Sequence, residues 1–236
     1  HVFGRLQPTF EDRKDSWDNY TSLLQTMTAQ CTAPKADLLD AVPKSWLWDI
    51  LDEFVYHYQA YSLWRNKAYK GQQPADLAVL NVDIWSTVKV FKALHALVTE
   101  SKVLDFFAEK RVLAAKEGNR IYIGYFAIAQ LCRMHCLLGD FHSALKVVEP
   151  LDFGDRAFHL QFASCHTNLS YHMGVAYLML QRYQDSGRMF SLALTSMTRM
   201  KAASVDLQKK TEQMTALLLV VTALCPQPMD PQVVQR

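Results

Sequence analysis

Glycine and proline are scarce, eight of each in 236 residues. No stretch gathers them with serine into a domain linker, and the nearest candidate is Lys70-Gly71-Gln72-Gln73-Pro74. There is no Asn-Gly hairpin turn and no sustained apolar–polar alternation, so nothing marks a strand. No apolar run approaches the roughly 20 residues of a membrane span. The longest, residues 216–225, is about half that and fits a buried helix end. Cysteine is sparse as well: five, an odd number without dense spacing. That argues against a disulfide scaffold and for a reduced, intracellular protein. Neither sign of charge dominates, with 25 Lys and Arg against 23 Asp and Glu and a formal net charge of +2. A dedicated nucleic-acid binder carries a larger basic excess, which leaves room only for weak contact with RNA. No signal peptide is visible, and a chain that opens on His1 is expected to be a fragment of a longer one.

What is present is helical periodicity on a composition that is 50% hydrophobic and 20% charged, enough for a sizeable core. Residues 9–29 form the first expected helix. Thr9 and Asp12 make a capping-box start, and Phe10, Trp17, Leu24 and Met27 lie near one face. Residues 31–42, with Pro34, are expected to be a connection. Pro43 suits the first turn of a long helix whose apolar positions are Leu47, Ile50, Leu51, Phe54, Val55, Tyr58 and Tyr61. A third helix is expected over 83–98 with Ile84, Val88, Phe91, Leu94 and Val98 inward, and a shorter one over 103–115 that Gly118-Asn119 ends. Two hairpins follow, 120–138 with 141–149 and 157–180 with 183–200. A last helix over 205–225 stops at Pro226. These make about nine helices, mostly in antiparallel pairs.

The two hairpins carry the same marks 42 residues apart: Phe141 aligns with Tyr183, Ala144 with Ser186, Val148 with Phe190, and Cys132 with Gly174. Small residues where two helices touch, with larger ones beside them, are the tetratricopeptide arrangement. The fold class expected is therefore all-α: a right-handed helical-repeat (tetratricopeptide-like) solenoid of antiparallel helix pairs, continuous over residues 1–236. Such stacks make scaffolds and docking surfaces.

Residues that could carry chemistry have simpler accounts. Cys132, His135, Cys136 and His142 lack the ligand spacing of a zinc site, and Cys132 falls where the repeat needs a small packed residue. Asp49, Asp52 and Glu53 would need a cleft to act as an acid–base pair, so a polar stripe or salt bridges to a neighbour are expected instead. There is no nucleophile elbow, phosphate loop or dinucleotide fingerprint. Neither an enzyme activity nor a cofactor, a metal or a small-molecule substrate is expected. Lys201, Lys209 and Lys210 with Arg199 fit a solvated helix end. The aromatic helix is different. Trp46 and Trp48 step by two, as do Tyr56 and Tyr58, so they cannot share one face. Trp46, Trp48, Tyr56 and Trp64 are the candidate protein-interface residues.

Several runs, in order, resemble a known family. They are Trp46-Leu47-Trp48-Asp49-Ile50-Leu51-Asp52-Glu53-Phe54, Ile84-Trp85, Leu94-His95-Ala96-Leu97-Val98 and Gly124-Tyr125-Phe126. Leu137-Leu138-Gly139-Asp140-Phe141, Gly174-Val175-Ala176-Tyr177-Leu178-Met179, Arg182-Tyr183-Gln184-Asp185 and Glu212-Gln213-Met214-Thr215-Ala216-Leu217-Leu218 continue the series. Together they resemble the subunit L family of eukaryotic translation initiation factor 3 over nearly the whole chain. The resemblance implies the central helical arm of a non-catalytic, cytoplasmic scaffold of PCI type, without the winged helix that follows in that family. It implies as partners the other subunits of initiation factor 3 and the small (40S) ribosomal subunit, with no membrane. Its mechanism would be placement, a rigid arm spacing partner subunits. A PCI-type scaffold of the proteasome lid or signalosome, and a free tetratricopeptide adaptor gripping peptides, are the alternatives.

Overall fold

The computed structural model describes residues 8–33, 37–69, 83–109, 118–151, 162–198 and 205–226. Among them are ten helices and no strand: α1 Phe10–Thr32, α2 Asp37–Ala41, α3 Lys44–Tyr69, α4 Thr87–Ser101, α5 Val103–Ala108, α6 Gly118–Leu137, α7 Phe141–Val148, α8 Ala163–Met179, α9 Tyr183–Thr198 and α10 Val205–Leu224. The chain divides into two compact units, residues 1–106 with 112–127, and residues 107–111 with 128–236. All-α architecture built from adjacent helix pairs is the class the periodicity predicts.

In the first unit α1 starts on the capping box. Thr9 N–H donates to Asp12 Oδ2 at 2.8 Å and Asp12 N–H to Thr9 Oγ1 at 3.2 Å. The hydrogen bonds from Thr9 hold the Asp12 carboxyl below its usual range, and its charge favours a helix N-terminus. α1 packs on α4 and, through aromatic side chains, on α3. Trp85 sits at the centre of that junction. It is buried, its ring lies 5.1 Å from Trp17, 5.4 Å from Phe54 and 5.7 Å from His57, and its indole N–H donates to Arg13 O at 2.9 Å. Its φ of 49° places a bulky residue in the left-handed region.

Four expectations change here. The third helix begins at Thr87 rather than residue 83, because Trp85 is non-helical and Ser86 caps α4 by accepting from Lys89 N–H. Leu94 and Val98 face inward as expected and Ile84 is buried just before the helix, but Val90 and Leu97 join them, Phe91 is only half-buried and Val88 is exposed. The connection over 31–42 contains α2. Leu39 anchors this short turn in the core, and Asn119 Nδ2 donates to Leu39 O at 2.8 Å and Val42 O at 3.0 Å. Gly118 and Asn119 open α6 rather than ending the helix before it. α5 extends to Ala108, and the rest of the stretch expected to 115 lies almost wholly outside the described residues.

α3 is inward as predicted at Leu47, Leu51, Phe54, Val55, Tyr58 and Tyr61, with Ile50 only half-buried. Pro43 stands just before the helix, where its carbonyl accepts from Trp46 and Leu47 N–H at 2.9 and 3.2 Å. α6 is buried all round over residues 121–132, as an apolar helix without a polar face must be. Gly124 makes this possible in the first unit: a Cβ there would stand 2.0 Å from Ser101 Oγ and 2.8 Å from the Cβ atoms of Ser101 and Val103.

In the second unit α8 packs on α7 and α9, and α9 on α10. Gly174 of α8 lies against the Phe190 ring, with an added Cβ only 2.6 Å away. Ser186 lies one turn along and donates its hydroxyl to Gly174 O at 2.8 Å. Phe190, Ala193 and Met197 then meet Met214 and Val221 of α10. The repeat register holds: Ala144, Ser186, Val148, Phe190, Cys132 and Gly174 are nearly or wholly buried. The two turns match as well. Gly139 has φ 77°, with Gly139 N–H to Cys136 O and Asp140 N–H to His135 O, a Schellman closure. Forty-two residues on, Gln181 closes the same pattern with φ 60°, through Gln181 N–H to Leu178 O and Arg182 N–H to Tyr177 O. α8 starts at Ala163; most of the stretch from 157 expected before it, and the end of the next helix expected at Met200, lie outside the described residues, while α10 ends at Leu224, just before Pro226.

Gly124→Ala and Gly174→Ala should each destabilise by about 1–3 kcal/mol in urea unfolding, although alanine is the better helix former. The loss at Gly124 should be the larger, since there the clash is with two backbone-anchored Cβ atoms. Gln181→Gly should stabilise by about 0.5–1 kcal/mol by relieving the left-handed strain, read as a raised urea midpoint with an unchanged slope.

Candidate protein-docking face

α3 is a two-sided helix, and its sides separate the candidate residues. Trp48 points inward; it is 6% exposed and meets Phe126 edge-on at 5.6 Å. Trp64 is half-buried at the end of the α1–α3 contact, stacked on Phe10 at 6.3 Å with the Arg13 guanidinium 5.0 Å above its ring. Trp46 and Tyr56 point outward, 63% and 57% exposed. The sequence argument that Trp46 and Trp48 cannot share a face is correct, and the four candidates divide between the sides of the helix. Trp48 and Trp64 are engaged within the unit, and Trp46 and Tyr56 are presented to solvent.

The outward face has more members than the two aromatics. Positions seven apart drift by only about 20° on a helix. Trp46 therefore lines up with Glu53, Asp49 with Tyr56, and Tyr56 with Leu63, and Leu63 is 58% exposed. Leu63 was missed in the sequence, although its spacing from Tyr56 marks it. Glu53 accepts from Tyr20 of α1 at 3.1 Å, and burial together with that carboxylate raises the Tyr20 phenol. Leu23, one turn beyond Tyr20 on α1, is partly exposed. Burial, and then the neighbouring Asp52 and Glu53, push the Asp49 carboxyl up. Asp49 and Glu53 are exposed and Asp52 is half-buried along one side of the helix, as the polar stripe the sequence predicts, and not around a cleft. His57, beneath them, is pulled down by burial and shares a hydrogen bond of 3.2 Å with Ser16.

Elsewhere the side chains pack. Cys132 is wholly buried, and its hydrogen bond with Cys136, then burial, raise its thiol well above the usual range. Cys136 donates to His172 O at 3.4 Å, His135 Nδ1 lies 3.5 Å from Asp140, and His142 is exposed. The four do not converge, and among the described residues no group of three His, Cys, Asp or Glu could hold a metal ion. Burial lowers His172 to about 4. A trough of about 660 Å³ runs between α1 and α4, lined by Leu24, Thr28, Phe54, Ala93 and Ala96 with Lys92 and Glu100 at its rim. On α10, Leu219, Val220 and Leu224 are exposed. No described helix is long and apolar enough to cross a membrane.

A family model described as RNA polymerase I-associated factor PAF67 matches residues 12–236. The chain belongs to that family. It is similar to eukaryotic translation initiation factor 3 subunit L of Nematostella vectensis, 33% identical over 99% of this chain and 47% of the relative. The human subunit L is 32% identical over 98% of this chain and 43% of its own length, and that of Mycosarcoma maydis 31% over 98% and 36%. The chain thus spans less than half the length of these curated relatives. The resemblance to subunit L that the ordered runs carry extends along essentially all of this family member.

The two-sided helix makes a sharp expectation. Trp48→Ala should lower stability by about 3–5 kcal/mol, as for a buried aromatic, while Trp46→Ala and Tyr56→Ala should stay within about 0.5 kcal/mol. Urea unfolding of the three variants checks it, and equal losses at all three would contradict the assignment of faces.

Proposed function

We propose that this chain is the helical-repeat arm of a non-catalytic scaffold subunit of cytoplasmic eukaryotic translation initiation factor 3, supporting assembly of the complex on the small ribosomal subunit. The observation that carries the reading is similarity to subunit L along nearly the entire chain. The structure suits it. In each unit a helix contact leaves no room for a Cβ, which fixes the distance between those helices within that unit. The outward face of α3 presents two aromatic side chains that are more than half exposed. The work of such a part is positional: affinity comes from surfaces held in place before the partner arrives, which lowers the entropic cost of association.

The partners proposed are the other subunits of initiation factor 3 and the 40S subunit, held mainly through protein contacts, since the net charge of +2 favours no extended phosphate backbone. Affinity purification of the tagged full-length protein from its own cells, with and without nuclease, followed by mass spectrometry, tests this. Recovery of initiation factor 3 subunits and small-subunit ribosomal proteins is expected, with the factor subunits retained after nuclease. Recovery of proteasome-lid or signalosome subunits, or of one soluble client alone, would overturn it.

A further inference from the structure

We propose that the outward face of α3, an aromatic stripe from Trp46 to Leu63 flanked by acids, docks a lysine- or arginine-bearing amphipathic helix of a partner protein. The inference rests on the scaffold reading and adds the chemistry of what is held.

Three features define the occupant. The first is shape. Trp46, Tyr56 and Leu63 are all more than half exposed and share one side of the helix. From 46 to 63 that side runs about 25 Å, the length of a five-turn partner helix lying along it. Side chains on such a helix recur every three to four residues, which suits three separated anchors better than a single deep pocket would. The second is charge. Asp49 and Glu53 sit between Trp46 and Tyr56 on this same side, with Asp52 beside them. Asp49 lies one turn from Glu53 and beside Asp52 on the helix, and a cation brought against it offsets their mutual repulsion. Near the far end of the helix Lys67 is exposed on this same side. The face is therefore acidic at its N-terminal half and carries a cation at its end, a polarity that sets the direction in which a charged helix lies. The third is discrimination. Carboxylates between the anchors repel a phosphate backbone, so this face selects protein over RNA. Trp, Tyr and Leu supply desolvated area, and the acids select basic partners and speed their encounter.

The test keeps the full-length protein in its complex. p-Benzoylphenylalanine placed at position 56, with position 219 on α10 as a control, is photolysed in cells and the crosslinked peptide is sequenced. The expected product from position 56 is a segment of another protein with Lys or Arg recurring at helical spacing beside aliphatic residues. Asp49→Lys with Glu53→Lys should cut its yield at least about tenfold, since like charges brought together cost more than one factor of ten in affinity. Asp49→Asn with Glu53→Gln should cut it less, and circular dichroism should show both variants as helical as the parent. A crosslink to RNA, to an acidic or uncharged segment, to the same polypeptide, or to nothing would overturn the proposal, as would a yield indifferent to charge reversal. Recovery of initiation factor 3 subunits in parallel separates these outcomes from failure of the scaffold reading itself.

Discussion

The structure depends on how closely its helices approach. At Gly124 the neighbouring Ser101 and Val103 occupy the volume a methyl group would need, and at Gly174 the Phe190 ring does the same. Each contact fixes an inter-helix distance that no other residue allows, and the remaining side chains are sized to that distance. Ser186 illustrates the point. It stands where the first hairpin has Ala144, yet it is fully buried because its hydroxyl reaches the Gly174 carbonyl. A buried hydroxyl without such a partner costs free energy; here it draws together the backbones whose closeness supplies the acceptor.

That constraint explains why the repeat was legible from residues alone. Small residues recurring opposite larger ones are the direct imprint of helix contact, so Cys132 with Gly174 and Val148 with Phe190 could be aligned before any coordinates. The capping box at Thr9 and the stop at Pro226 were legible because they are decided within one turn of chain. What escaped was decided at long range. α2 is a five-residue turn with little helix-forming tendency of its own, and it persists because Asn119, some eighty positions away, satisfies its last carbonyls. The start of α4 was misplaced because Trp85 adopts a left-handed backbone that its residue type disfavours, held there by ring contacts from α1 and α3.

The docking face was half legible. Steps of two within Trp46-Leu47-Trp48 showed that one indole must turn away from the core, but which one depends on the position of Phe126, a residue of another helix. Leu63 carries the spacing that aligns it with Tyr56, but a leucine gives no local sign of whether it faces solvent or core. Asp49 and Glu53 were placed as a polar stripe, and their meaning changes once the residues between them prove to be exposed aromatics. Acids beside solvent-facing rings form a surface with both a preferred chemistry and a preferred direction.

The distribution of indoles has a practical consequence. All five tryptophans lie at or before position 85, hence in the first unit, and four of them are engaged in its packing. Among the described residues, the aromatic side chains of one core cluster in the second unit are Phe190, Tyr171 and Tyr183. Intrinsic fluorescence therefore watches one half of the molecule while far-ultraviolet dichroism watches both, and the difference between the two melting curves isolates the half without indoles. Trp46 stands apart in that set. As the indole that faces water on α3, it is open to a collisional quencher, so the loss of quenching on mixing with a partner would serve as an optical titration of the face itself, with no label added.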